Sequence, residues 1–222
     1  MKNCWLAFLL MSAVWAAPVF GAKKPYEYYR VGSALDKVGA TTTAGTVLMG
    51  GGMNVLTQFV FSGLLSQGVT SSQVLANPYT KYLTLDRDFV SVPELAGMIG
   101  DPHFVERDRL GRDLAFLCRI SNDGWPGQPR AVAVDAATAL EVDSRGTATL
   151  VGAGTAYFLR APGAPQVCQE KQPLTYLGVQ VYRIGGGGSF DLTRWRGAGG
   201  TAYEVSAENG VLTSTQAGGA IY

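Results

Sequence analysis

Residues 46–61, TVLMGGGMNVLTQFVF, join a short apolar strand to an apolar helix through three consecutive glycines. In the helical half Met53, Leu56, Val60 and Leu64 recur at helical spacing, and Val55 and Phe59 fill a second apolar row. A helix apolar around so much of its circumference is normally buried. A buried helix leaving a strand through a glycine turn is the repeating unit of layered α/β folds. The same geometry can cradle a phosphate or expose a serine at a nucleophile elbow. Here the spaced glycines and Lys-Ser/Thr of a phosphate loop are incomplete, and the turn contains no serine.

The remainder of the chain alternates and then becomes strand-rich. Residues 63–76 read as a loop or short helix, and residues 82–92 (YLTLDRDFVSV) as a strand. A helix is predicted to start with Asp101 as N-cap and Pro102 at its first position, with Leu110, Leu114 and Leu117 as its apolar stripe. From Arg130 the segments AVAVDA, ALEVD, ATLVG and TAYFLRA read as strands, with a turn at Ser144-Arg145-Gly146. The GGGGS, GAGG and AGG segments of the tail read as flexible surface loops.

The N-terminus has the form of an export signal. Lys2 precedes an uncharged run over residues 4–20 and the small residues Gly21 and Ala22, which predicts a secretory signal peptide over 1–21 and a single domain over 22–222. The alternative is a membrane anchor, against which stand the shortness of the run and Pro18. The mature chain is expected in the periplasm or outside the cell. It would carry 17 basic and 17 acidic side chains, a balance that offers no footprint for nucleic acid or anionic membrane. Cys118 and Cys168 then remain as an even pair, either disulfide-bonded or as two buried thiols. With a single histidine and no ligand-spaced cysteines, a metal site is not expected.

That histidine, His103, follows the expected N-cap by two residues in DPHFVERDRLGR. The positive end of a helix disfavours the imidazolium and suits a neutral general base, although a lone histidine is more often structural than catalytic. Arg107, Arg109 and Arg112 read as a solvated helix face paired with Glu106 and Asp108.

The block FVSVPELAGMIGDPHFVERDRLGRDLAFLCRI, the later RAVAVDAATALEVD and TATLVGAGTAYFL, together with PYEYYRVGSA and TTTAGTVLMGGG near the start, resemble cyanophycinases and their exported relatives, serine hydrolases of aspartyl-dipeptidase type. The resemblance covers the mature chain to about Leu159. It implies a doubly wound α/β sheet and a Ser-His-acid mechanism without metal or cofactor. Its implied substrate is the polymer multi-Arg-poly-Asp, cut to β-aspartyl-arginine dipeptides. It also implies a peptide or cyanophycin-like polymer as partner and a tendency toward homodimers. By its motif His103 matches the family's general base.

The other positions depart from the pattern. The elbow serine would fall three residues before Met53, where this chain has Gly50. In the strand that carries the family's acid, Asp135 is kept and the expected glutamate is Ala136, which leaves Asp135 or Glu141 as candidate orienting acids. The early glycine turn abuts the elbow helix directly, so an internal deletion, natural or introduced by a faulty reading frame, is placed at residues 50–53. The expected fold is an incomplete doubly wound α/β sheet with a strand-rich C-terminal part. Three expectations follow for the product: a family member without its nucleophile and hence inactive, a non-catalytic peptide- or polymer-binding module, or a chain that does not fold.

Overall fold

The structure is a computed structural model and describes residues 47–49, 56–65, 68–89 and 91–222. Within these, eleven strands form one sheet: β1 (Val47–Met49), β2 (Phe59–Phe61), β3 (Leu85–Arg87), β4 (Met98–Pro102), β5 (Arg130–Val134), β6 (Thr138–Val142), β7 (Thr147–Gly152), β8 (Ala156–Arg160), β9 (Tyr176–Asp191), β10 (Arg196–Glu208) and β11 (Val211–Ser214). Two α-helices accompany them among the described residues, α1 (Ser71–Ala76) and α2 (Leu110–Asn122). The strand order is β1-β6-β7-β9-β8-β5-β4-β2-β3, with β10 on the other edge of β9 and β11 beyond it.

This arrangement corrects the doubly wound α/β expectation. Only β2–β4 and β4–β5 pair in parallel, and every other ladder is antiparallel. The fold is strand-rich and its mixed sheet curls into a half-barrel. One parallel crossover with a full-length helix remains, β4-α2-β5, and it carries the histidine motif. β1 does not begin a parallel unit, since Val47, Leu48 and Met49 run antiparallel to Val142, Glu141 and Leu140. The three glycines after it lie outside the described residues.

Strand alternation divides the core into two layers. Ile99, Ala131, Ala133, Tyr157, Leu159, Val179, Val181, Tyr203 and Val205 face α2, whose Leu110, Leu114 and Leu117 are fully buried, as its apolar stripe required. On the other face Met98, Val132, Val134, Phe158 and Ile184 pack against Leu140, Val142, Ala148 and Phe190 of the curled edge. Cys118 on α2 and Cys168 form a disulfide with Cα atoms 6.1 Å apart, which ties the helix to the segment leading into β9.

Four local expectations change. Phe59–Phe61 is a strand rather than part of a helix; three apolar residues satisfy either period, and pairing with β3 and β4 decides between them. Within residues 82–92 the strand is confined to Leu85–Arg87. Asp101 and Pro102 end β4 instead of starting a helix, and α2 begins eight residues later at Leu110. Two of the three glycine segments of the tail are not loop: GGGGS lies inside the 16-residue β9 and GAGG inside the 13-residue β10, while AGG forms a short exposed 3-10 turn at Ala217–Gly219. The β9 glycines mark where one edge of that strand passes from β8 to β7, and Gly187 takes the left-handed φ of +83° there.

Candidate functional site

The carboxyl ends of β4 and β5 lie side by side, the position at which open parallel sheets present ligands and catalytic groups. His103 leaves β4 and Asp135 leaves β5, so the crossover brings both to one end of the sheet. Between β4 and α2 runs the loop 103–109. Its residues His103 and Asp108 adopt left-handed backbone, with φ of 55° and 47°. Such conformations in non-glycine residues persist only where the surroundings over-determine them.

Here the surroundings do so. Phe104 is wholly buried, its N–H donates to the Val134 carbonyl at 3.0 Å, and its ring meets Tyr157 and, edge-on, Tyr222. Beneath the loop Asp101, 1% exposed, accepts from two guanidinium groups. Arg109 Nη1 donates to Oδ1 at 2.6 Å, Arg112 Nε donates to Oδ2 at 2.8 Å, and Arg112 Nη2 also donates to Oδ1. The Arg112 guanidinium further lies 5.0 Å and 5.3 Å from the ring centres of Phe61 and Phe116. The expected solvated arginine face is thus corrected: Arg107 is exposed, whereas Arg109 and Arg112 turn inward to neutralise Asp101. A buried carboxylate requires such partners.

One turn into α2 stands a second buried acid, Asp113, whose two oxygens have no hydrogen-bond partner. Burial, followed by the charge of Asp101, raises the Asp113 carboxyl well above the ordinary value, more than Arg112 and Arg109 lower it. Asp113 therefore keeps its proton to a higher pH than an ordinary aspartate, since an ionised carboxylate without donors would be far costlier to bury.

His103 is pulled below its usual range first by burial and then by the positive charges of Arg107 and Arg109, against weaker opposite pulls from Glu106 and Asp101. The imidazole is neutral at pH 7. Asp135 is raised by burial, opposed by the amides that it accepts from: Val105 N–H at 3.3 Å and Thr155 N–H at 3.0 Å. Glu106 in turn accepts from Ala136 N–H at 2.9 Å. These bonds staple the loop 103–109 to the β5–β6 turn and the start of β8. Glu141 sits inside β6, opposite Leu48 and Thr149, not at the turn. Gly50 lies outside the described residues.

Sequence reasoning singled out His103 and Asp135 as residues without placing them together, and it missed the Asp101–Arg109–Arg112 knot. Its signal was present in the Asp…Arg-x-x-Arg-Asp spacing, obscured by reading Asp101 as a cap. Chemically the arrangement offers one neutral imidazole near an exposed glutamate and arginine. Among the described residues no three His, Cys, Asp or Glu side chains are grouped as a metal ion requires. No protein-family model and no curated protein matches the sequence.

Proposed function

We propose that this chain is an exported, hydrolytically inactive protein of cyanophycinase-like descent that binds peptide or polymer ligands without cutting them. The observation that carries the reading is the employment of Asp135. Its two oxygens accept from the main-chain amides of Val105 and Thr155, whereas the charges acting on His103 are those of arginines, Glu106 and Asp101. A working triad needs the acid on the imidazole, the imidazole on a nucleophile, and all three acting as a unit. Gly50 in the nucleophile's register supplies no hydroxyl.

Export is supported by the signal-like N-terminus and by the Cys118–Cys168 disulfide, a bond that persists in oxidising compartments. Among the described residues no helix is long and apolar enough to cross a membrane.

The test uses the purified mature chain and insoluble multi-Arg-poly-Asp. Co-sedimentation with the polymer, with no β-aspartyl-arginine released above the buffer blank, is the expected result. Release of dipeptide that disappears in His103→Ala would overturn it.

A further inference from the structure

At the amino ends of β4 and β5, opposite the end that bears His103, one rung of the sheet crosses five chain segments on the same face. Arg130 pairs with Arg160, Arg160 with Gln180, Gln180 with Glu204, and Glu204 exchanges hydrogen bonds with Thr215. Two arginines thus stand directly opposite each other on adjacent antiparallel strands, a placement that costs stability unless the charge is offset.

Among the described residues no salt bridge engages either arginine, and the acid of the rung, Glu204, stands two strands away from Arg160. Arg130 donates to the carbonyls of Leu192 at 3.0 Å and Ala96 at 2.8 Å, and Arg160 donates from Nε and Nη2 to the Gln180 side-chain oxygen at 3.2 Å and 2.7 Å. These acceptors are neutral. They fix both guanidiniums in place without neutralising them, and they leave N–H groups free on each. The nearby Arg194 is excluded from the set because Asp191 pairs with it at 3.1 Å.

Beside the pair stands Trp195, partly exposed and backed by two buried rings. Phe158 and Phe190 stack at 3.8 Å, and Trp195 meets Phe190 edge-on at 5.0 Å while the Arg130 guanidinium lies 4.9 Å from its ring centre. Trp195 itself sits in the β9–β10 turn with a left-handed φ of 54°. A glycine or asparagine would occupy that position without strain, so the bulky ring is retained there at a conformational cost. Two clefts, of about 560 and 480 Å³, share Arg160 and Trp195; Tyr182 and Glu204 also line the first, and Arg130 the second.

We propose that this face binds a small amphiphilic carboxylate, its anionic group between Arg130 and Arg160 and its apolar body against the partly exposed rings of Trp195 and Tyr182, which the buried Phe158 and Phe190 back. Fixed guanidiniums engaged in no salt bridge match the planar geometry of a carboxylate, and the rings supply an apolar contact that a bare inorganic anion cannot use. The site is separate from the His103 end of the sheet and does not depend on the family reading.

The experiment is isothermal titration of the purified mature chain with 3-phenylpropionate, 3-phenylpropylammonium and inorganic phosphate. Saturable binding of 3-phenylpropionate, at least tenfold tighter than that of the other two, is expected. Arg160→Gln should weaken it at least tenfold with an unchanged circular dichroism spectrum. Trp195→Gly, which relieves the left-handed strain, should weaken it while the protein stays folded. No saturable heat with 3-phenylpropionate, equal affinity for phosphate, or full affinity in Arg160→Gln or in a folded Trp195→Gly would each overturn the proposal.

Discussion

Arg112, in the first turn of α2, donates its Nε to Asp101 Oδ2 at 2.8 Å and its Nη2 to Oδ1, locking the end of strand β4 to the helix that follows it eight residues later. Arg109 completes the knot from the other side. Because both partners are almost completely buried, the pair contributes through what its rupture leaves behind. Arg112→Leu strands Asp101 with one guanidinium and is expected to cost about 3–5 kcal/mol in urea or guanidinium unfolding. Arg112→Lys should recover only part of this, since a point charge cannot replace the two-pronged contact.

Asp113 gives the fold an unusual pH dependence. Its carboxyl keeps its proton in the native state and loses it in the unfolded chain above the ordinary value of 3.8. Between that value and the raised native one the folded state binds more protons, so this contribution to stability falls as pH rises. Asp113→Asn should flatten that slope in thermal melts recorded from pH 4 upward, with the difference between the proteins growing until the native carboxyl ionises.

Reduction of Cys118–Cys168 releases a loop of 50 residues' separation. The expected loss is about 2–4 kcal/mol, chiefly through the freedom returned to the unfolded chain. Guanidinium unfolding with and without reductant measures it.

Gly197 on β10 lies under the ring of Tyr182 on β9, and a Cβ there would run into that ring. Tyr182 also accepts a hydrogen bond from Gly200 N–H at 3.1 Å. Gly197→Ala should destabilise by about 1–3 kcal/mol through overpacking. The double variant with Tyr182→Ala should show less than the sum of the two single losses.

These two glycines show why the tail was illegible in the sequence. Glycine clusters are the usual mark of loops, and their use beneath a cross-strand aromatic depends on a partner 15 residues from Gly197 and 18 from Gly200. The strands from Arg130 to Arg160 were readable because β-branched and apolar residues alternate there between short turn signals. Phe59–Phe61 is too short for its period to distinguish strand from helix. The doubly wound expectation rested on resemblance, and the antiparallel pairing of β1 with β6 has no local signature at all. At the candidate site His103 and Asp135 were visible as residue types. Their partners were not, because Val105, Thr155 and the inward arginines are set by tertiary contacts.

The most direct measurement is the titration of His103, the sole histidine of the chain, by its ring proton NMR signal. Burial and the adjoining Arg107 and Arg109 place its pKa below the ordinary 6.5, with Asp135 engaged elsewhere. A single transition below 6.5, unchanged in Asp135→Asn, is the predicted result. A pKa above 6.5 that falls in Asp135→Asn would reveal an acid–imidazole pair and contradict the account of an inactive site.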